Sequence, residues 1–194
     1  MREIVWILAS YLIGCFTAGY YWMRWRTGQD IRGMGSGSVG ARNVGRALGA
    51  RGFAATFLLD AAKGAVAVAG AGWLDLRPAA VITSMVAVVA GHNWPMQLRF
   101  RGGKGIATSL GALLTYNPLI VLCLAAIFLP VVALLRNVTL SGLLALTLGP
   151  LVMWRAGLGK AEVAATSFLA MLALITHRKK IPEQIARVVG HREP

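Results

Sequence analysis

Long uncharged runs alternate with short basic segments along the 194-residue chain. A helix needs roughly 20 apolar residues to cross a bilayer core of about 30 Å. Residues 53–74 are also apolar, apart from Asp60 and Lys63. The pattern therefore predicts an all-α integral membrane protein. The runs without Asp, Glu, Lys or Arg are 4–23, 78–98, 105–135, 137–154 and 163–176.

Residues 105–135 are too many for one crossing, since a straight helix of that length extends about 46 Å. Asn117-Pro118 divides the run, because proline removes a backbone donor and disfavours helix at the residue before it. With two crossings, 15 Lys and Arg residues lie on one side of the membrane and 4 on the other; with one crossing the split is 11 to 8. Cytoplasmic loops are rich in Lys and Arg, which favours two crossings.

These features predict a seven-transmembrane-helix bundle with short cytoplasmic glycine-rich loops, an N-terminus outside and a cytoplasmic C-terminus. The first run is interpreted as a retained span, because it ends in YYWMRWR instead of a small-residue cleavage site. Residues 1–194 are predicted to form a single transmembrane domain. The predicted spans are approximately 4–23, 53–74, 79–98, 106–116, 118–135, 137–154 and 161–177.

Composition agrees with the membrane interpretation and indicates which classes of partner the protein binds. The chain is 57% hydrophobic and 14% charged, with a mean hydropathy of +0.64, which is unusual for a soluble domain. Its net charge of +13 is explained by basic cytoplasmic loops, with anionic lipid or phosphorylated substrates as partners. No nucleic-acid module is visible. Cys15 and Cys123 lie in different predicted spans, so no disulfide is expected.

The first basic loop reads GMGSGSVGARNVGRALG, residues 33–49. Its G-x-G-x-x-G is a weak dinucleotide fingerprint, because no strand precedes it. A flexible linker is the simpler alternative, but linkers rarely combine glycine with hydroxyls, an amide and arginines. Glycine lets backbone N–H groups converge on an anion, and arginine binds phosphate in a bidentate manner. We therefore predict anion binding by Gly35, Ser36, Gly37, Ser38, Gly40, Arg42, Asn43 and Arg46.

The second basic loop reads GHNWPMQLRFRGGKGIATSLG, residues 91–111. It is not a Walker A motif, because glycine follows Lys104. Its glycines lead into an apolar helix, whose N-terminal N–H groups and dipole attract anions. Topological anchoring by arginine is the alternative, but it does not explain a lysine among glycines. The predicted substrate-binding residues here are His92, Arg101, Gly102, Gly103, Lys104, Gly105 and Thr108.

Five further polar positions lie outside these loops. Asp60 and Lys63 share one helical face within a predicted span, as a structural ion pair or as part of the site. In the turn RNVTLSG, Thr139 and Ser141 either contribute hydroxyls to the site or cap the next helix. His177 ends the last predicted span at the depth where the basic loops are expected to converge.

No metal site is predicted, because the three histidines lack ligand-like spacing and no carboxylates cluster near them. A lone histidine such as His92 is more often a buried hydrogen-bonding residue than a catalyst. The other two histidines are His177 and His191.

The spaced set GSGSVGARN, DAAKG, GHNWPMQLRFRGGKGIATSLG and the terminal HR resembles the PlsY family, the bacterial acyl-phosphate:glycerol-3-phosphate acyltransferases. The resemblance implies a seven-helix enzyme of the bacterial cytoplasmic (inner) membrane. It transfers a fatty acyl group from acyl phosphate to the 1-hydroxyl of sn-glycerol 3-phosphate, giving lysophosphatidic acid for phospholipid synthesis. On that resemblance, Ser36, Arg46, Lys104 and His177 match positions in the acceptor-binding and reaction site.

The chain departs from the family's usual pattern at several of these positions. The family usually has Asn at the position of Ser38 and Thr at that of Arg42. Its common serine is Gly142 here, with Ser141 beside it, and its usual asparagine is Lys180. Such changes fit retuned substrate contacts or a divergent paralogue. Intact serine, lysine and histidine positions favour an active enzyme.

Direct attack by the glycerol hydroxyl suits these residues, because acyl phosphate already carries a good leaving group. No Ser-His-Asp arrangement is evident, so a covalent acyl-enzyme is not expected. Ser36, Lys104 and His177 are the predicted catalytic residues, and either His177 or a substrate phosphate accepts the proton. No cofactor is implied. The alternatives are a transporter of a phosphorylated lipid or organophosphate, and a non-catalytic membrane scaffold.

Overall fold

The computed structural model describes residues 1–190, and the regular secondary structure in that part of the chain is helical. Short 3₁₀ turns lie at 31–33 and 96–98. The α-helices of the described residues are α1 (Arg2–Cys15), α2 (Ala18–Thr27), α3 (Ala41–Trp73), α4 (Pro78–Asn93), α5 (Ile106–Tyr116), α6 (Pro118–Leu135), α7 (Val138–Arg155), α8 (Lys160–His177) and α9 (Ile181–Gly190).

Residues 1–116 form one compact unit, in which α1 packs on α4 and α3 packs on α5. Both pairs approach closely at glycines. A Cβ on Gly14 or Gly91 would overlap the backbone of the opposite helix in the α1–α4 pair, and Gly64 and Gly111 are placed likewise between α3 and α5. Small residues let backbones approach where lipid supplies no hydrophobic driving force between helices. These glycines therefore position the helices that carry both basic loops.

The predicted span 4–23 is broken into α1 and α2 at Phe16 and Thr17. The break leaves carbonyls without intrahelical partners, which normally costs free energy in an apolar setting. The Lys63 ammonium group of α3 donates to Gly14 O (3.0 Å) and Phe16 O (2.7 Å). A buried lysine from another helix thus satisfies the break, which hydrophobicity alone does not reveal.

Helix α3 begins at Ala41, so the second half of the predicted first basic loop is helical. Arg42, Asn43 and Arg46 accordingly lie on a helix and not in a glycine loop. Gly49, with φ 70° and ψ −166°, interrupts the helix and separates this amphipathic start from the apolar remainder. The prediction of a loop over 33–49 was wrong from Ala41 onward, because Gly45 did not outweigh continued helical hydrogen bonding.

A second compact unit begins at Asn117 and contains α6 to α9. Asn117 caps α6 by accepting from Leu119 N, and Asn137 caps α7 by accepting from the N–H groups of residues 139 and 140. Gln184 of α9 receives a hydrogen bond from Asn137 Nδ2 (3.2 Å to Oε1). Helix α9 is amphipathic, and the sequence interpretation did not anticipate it.

Among the described residues, four helical segments are long and apolar enough to cross a bilayer by length and composition. Helix α5 is apolar but has only 11 residues. The finer prediction of seven crossings therefore stays a prediction. The four segments are Arg2–Thr27 (α1 with α2), Ala41–Trp73, Pro118–Leu135 and Val138–Arg155.

Candidate functional site

The first basic loop is organised by one buried amide, that of Asn43. Its Oδ1 accepts from Ser36 N (2.9 Å), while its Nδ2 lies within hydrogen-bonding distance of Met34 O (3.0 Å) and Ser38 O (2.9 Å). A third carbonyl, Ile31 O, lies 3.3 Å from Nδ2. Asn43 thus holds both ends of the glycine turn, and its role as a substrate contact stays a prediction.

Gly35 and Gly37 have positive φ values of 52° and 70°, a region that favours glycine. They bracket Ser36, whose side chain is half-buried and whose amide is already bound to Asn43. Ser38 Oγ accepts from the Gly40 amide at 3.2 Å. The turn therefore presents a fixed Ser36.

The arginines predicted for this loop are positioned differently from its glycines. Arg42 and Arg46 project from the first two turns of α3 and are largely exposed. Their separation of four residues places them on one helical face. They therefore form a basic patch directly after the Ser36 turn.

The second basic loop uses glycine for close packing. Gly102 N donates to Asn93 O (3.1 Å), and Gly103 N donates to His92 O (2.9 Å). A Cβ on Gly102 would overlap those carbonyls, and one on Gly103 would overlap the His92 imidazole. Both amides donate to the end of α4 in this conformation, and the substrate contacts predicted for Gly102 and Gly103 stay predictions.

Lys104 and the start of α5 follow Gly102 and Gly103 in the chain. Lys104 is half-buried, and Gly105 has a φ of 79°. Within residues 1–190, the buried Thr108 Oγ1 has no hydrogen-bond partner. The Asn93 side chain faces Gly105, and neither of its polar atoms is paired in the described part of the chain. Buried unpaired polar atoms are costly, so this helix N-terminus offers unsatisfied hydrogen-bonding capacity. The sequence interpretation overlooked Asn93.

The two basic loops are in direct contact. Val39 N donates to Gly102 O at 3.4 Å, and Arg32 Nη1 donates to Leu98 O at 2.8 Å. Beneath them lies an apolar cluster made of Met23, Ile31, Val39, Val44 and Leu98. The structure therefore brings together the two segments that the sequence predicted separately.

Arg32 is a further residue that the sequence interpretation overlooked. Asp30 binds its guanidinium group in a salt bridge of 2.6 Å, and hydrogen bonding from Arg32 lowers the pKa of the Asp30 carboxyl group. The Tyr20 ring lies 5.1 Å from the guanidinium carbon. A basic residue two positions after an acidic one is a common surface pattern, so the sequence carried no signal for this bridge between the loops.

Asp60, Lys63 and His92 form a buried cluster below the second basic loop. Lys63 Nζ lies 3.0 Å from Asp60 Oδ1 and 2.7 Å from His92 Nδ1. The expected ion pair between Asp60 and Lys63 is thus present, and His92 is the buried hydrogen-bonding residue that its position suggested. All three side chains are nearly inaccessible, with the His92 ring lying against Gly103.

Three further candidate residues, Thr139, Ser141 and His177, belong to the second unit. His177 is buried at the end of α8, and its Nδ1 lies 2.8 Å from Ala173 O. Because a carbonyl can only accept, Nδ1 carries the proton and Nε2 is the basic nitrogen. Ser141 Oγ donates to Asn137 O (2.8 Å), and Asn137 caps α7 in place of Thr139 or Ser141.

Across residues 1–190, no group of three or more His, Cys, Asp and Glu side chains is arranged to hold a metal ion. His191, the third histidine of the sequence, lies outside the described residues.

Residues 4–187 match the family model described as Glycerol-3-phosphate acyltransferase. The chain is similar to the Glycerol-3-phosphate acyltransferase 1 of Desulfitobacterium hafniense (strain Y51), at 41% identity over 95% of this chain and 92% of that protein. It is also similar to the Glycerol-3-phosphate acyltransferase of Clostridioides difficile (strain 630), at 40% identity over 98% and 97% of the two chains.

Two solved structures of PlsY (YgiH), an integral membrane glycerol 3-phosphate acyltransferase, share the fold. The glycerol 3-phosphate form has a TM-score of 0.85 and 30% identity. The lysophosphatidic acid form has a TM-score of 0.82 and 28% identity. Both comparisons cover 100% of this chain and 95% of the solved one. The resemblance to PlsY in the sequence motifs is thereby confirmed, as is the prediction of an integral membrane protein.

Proposed function

Because the chain belongs to the glycerol-3-phosphate acyltransferase family, we propose that it transfers a fatty acyl group from acyl phosphate to the 1-hydroxyl of sn-glycerol 3-phosphate. The products are lysophosphatidic acid and inorganic phosphate. The observation that carries this proposal is the contact between the two basic loops through Val39 and Gly102. This contact between the segments that contain Ser36 and Lys104 supports the proposal, because a reaction between two phosphorylated molecules requires two neighbouring anion-binding segments.

The reaction is a direct substitution at the acyl carbon. The glycerol oxygen forms a bond to the carbonyl carbon, the bond from that carbon to the phosphate oxygen breaks, and phosphate leaves with the electron pair. The hydroxyl proton passes to a phosphate oxygen or to His177. Fixed donors and cations lower the barrier by holding both substrates in register and by stabilising the charge that develops.

Each proposed catalytic residue has a role that its local structure supports. Lys104 and Arg46 neutralise phosphate charge, and Ser36 orients the acceptor hydroxyl from a turn whose backbone is fixed by Asn43. His177 presents Nε2 as its basic nitrogen, because its Nδ1–H is bound to a backbone carbonyl. A phosphate dianion, with a second pKa of about 6, is the alternative base.

The proposed substrate contacts include groups from both basic loops. Thr108 and the amides that begin α5 are the donors best suited to a phosphate, since Gly102 and Gly103 already donate elsewhere. The further proposed contacts are Gly35, Gly37, Ser38, Gly40, Arg42, Arg101, Gly105, Thr139 and Ser141.

We further propose that residues 1–194 act as one transmembrane domain with seven crossings in a bacterial inner membrane. The uneven distribution of Lys and Arg supports an external N-terminus and a cytoplasmic site. Single cysteines at positions 36, 104 and 178 should all react with an impermeant thiol reagent from the cytoplasmic side. Labelling of any of them from the outside alone would refute this topology.

The decisive assay measures lysophosphatidic acid formation from acyl phosphate and glycerol 3-phosphate by the purified protein. We expect Lys104→Ala to lose at least about 100-fold in kcat/KM, because a fixed cation in a poorly solvated site contributes several kcal/mol to charge stabilisation. Lys179→Ala is the matched control and should retain activity. Wild-type protein that forms no lysophosphatidic acid would refute the proposal, and passage of substrate through sealed vesicles would favour the transporter.

The His177→Ala variant separates the two candidate bases. If His177 is the obligatory base, kcat should fall by at least about 100-fold with little change in KM. If a substrate phosphate is the base, kcat should be nearly normal and KM for glycerol 3-phosphate should rise.

A further inference from the structure

The Asp60–Lys63–His92 cluster lies inside the first unit, and its three side chains are nearly inaccessible. Intramembrane charges are expensive and generally functional. We propose that His92 is a positioning residue whose imidazole, held by Lys63, fixes the backbone at Gly103. Lys104 follows directly in the chain, so the cluster controls where that cation lies. This inference rests on the proposed acyl transfer and extends it to residues that do not touch substrate.

The hydrogen bonds of Lys63 define the orientation of the His92 ring. An ammonium group has three protons, and Lys63 Nζ has three hydrogen-bond acceptors: Gly14 O at 3.0 Å, Phe16 O at 2.7 Å and His92 Nδ1 at 2.7 Å. Asp60 Oδ1, at 3.0 Å, has no hydrogen bond within residues 1–190 and acts on Lys63 through its charge. Because Nδ1 accepts from Lys63, the imidazole carries its proton on Nε2.

The opposite edge of the ring contacts the second basic loop. His92 Nε2 occupies the space that a Cβ on Gly103 would need, with the ring carbons on either side of it. The backbone of His92 also contacts Gly103, because His92 O accepts a hydrogen bond from Gly103 N at 2.9 Å. Side chain and main chain of one residue therefore hold Gly103 from two directions.

The cluster also anchors the start of the first basic loop. Through Gly14 O and Phe16 O, Lys63 stabilises the break between α1 and α2. Helix α2 contributes Met23 to the apolar cluster beneath both loops. One buried ammonium group thus connects the helix that leads to the Ser36 turn with the ring that supports the Lys104 segment. Displacement by about 1 Å at such a site can cost 10²-fold in rate.

The first experiment compares His92→Asn with Met85→Leu, a buried control on the same helix. Asparagine keeps an acceptor for Lys63 but removes the ring atoms over Gly103. We expect kcat of His92→Asn to fall about 10- to 100-fold per folded molecule, with KM for glycerol 3-phosphate changed by less than about threefold. Unchanged kcat with only a lower melting temperature would show a structural role and overturn the proposal.

The second experiment tests the contact itself with His92→Ala, Gly103→Ala and the double variant. A methyl group at position 103 clashes with the ring but fits the space that His92→Ala vacates. The double variant should therefore be no less active than His92→Ala, whereas independent effects would multiply. Multiplied losses would refute the contact.

Measurements of melting temperature distinguish failure of the proposed His92–Gly103 contact from failure of the proposed acyl transfer. Gly103→Ala should lower the melting temperature in the presence of His92 and have a smaller effect in the His92→Ala background. This coupling does not depend on acyl transfer. Its presence in a protein without activity would refute the proposed function and retain the contact, and its absence in an active enzyme would refute the positioning role alone.

Discussion

The two basic loops have similar compositions, but glycine serves different purposes in them. In the first loop, Gly35 and Gly37 adopt positive φ, and the turn lies largely at the surface. In the second, Gly102 and Gly103 have no room for a side chain against the end of α4. Gly35 and Gly37 need the backbone freedom of glycine, whereas Gly102 and Gly103 need its small size.

The loops also differ in which helix organises them. The first loop is held by Asn43 from the helix that follows it, through neutral amide hydrogen bonds. The second is held by His92 from the helix that precedes it, and that ring is in turn held by a buried ion pair. In both loops, a polar side chain of an adjoining helix therefore supports the glycine segment.

The largest expected effect comes from filling the space at the second loop. Gly102→Ala would place a Cβ against His92 O, Asn93 O and the Pro95 ring. We expect at least about a 100-fold loss of kcat/KM, because backbone atoms cannot move aside without displacing Lys104. Gly33→Ala is the matched control, since no atom lies within 4 Å of the position that a Cβ would take there. Equal activities of the two variants would contradict close packing as the reason for glycine.

A smaller effect is expected at the amide that organises the first loop. Asn43→Ala removes hydrogen bonds to Ser36 N, Met34 O and Ser38 O, each worth about 1 kcal/mol. We expect chemical denaturation to show a loss of about 2–3 kcal/mol. Asn43→Asp should be worse, because it directs a carboxylate at carbonyl oxygens. A variant with normal stability but raised KM would instead identify Asn43 as a substrate contact.

Backbone freedom at the first loop is tested by Gly37, whose φ is 70° and whose Cβ would have only an ordinary contact with Arg32 O. Gly37→Ala should lower the free energy of unfolding by about 1 kcal/mol, since alanine is strained in the left-handed region. Gly37→Asn should recover part of this loss, because asparagine tolerates that region. Equal stabilities of the three proteins would show that φ is not the constraint.

The smallest effect concerns the salt bridge between Asp30 and Arg32, beside the first basic loop. Because Arg32 lowers the pKa of Asp30, the bridge stabilises the folded state above the unfolded pKa of about 3.9 and loses this contribution as pH falls through the folded value. The melting temperature of wild-type protein should exceed that of Asp30→Asn at pH 7, and the difference should shrink at acid pH. A difference independent of pH would exclude the ionised carboxylate as its source.

Much of the molecule follows from the order of its residues. Apolar runs bounded by charge predict the helices, and Asn117-Pro118 predicts the junction between α5 and α6. The motifs identify the family and select the two basic loops. These are local properties, because helix formation and phosphate chemistry depend on residue types at short spacing.

Tertiary structure alone decided which polar side chains serve as supports. The break between α1 and α2 depends on Lys63 of another helix, and the glycines at 102 and 103 depend on the carbonyls and ring at the end of α4. Arg32 reaches Leu98 across 66 positions of sequence. A hydrogen bond is satisfied by whichever partner the packing brings within about 3 Å, and that partner has no fixed spacing along the chain.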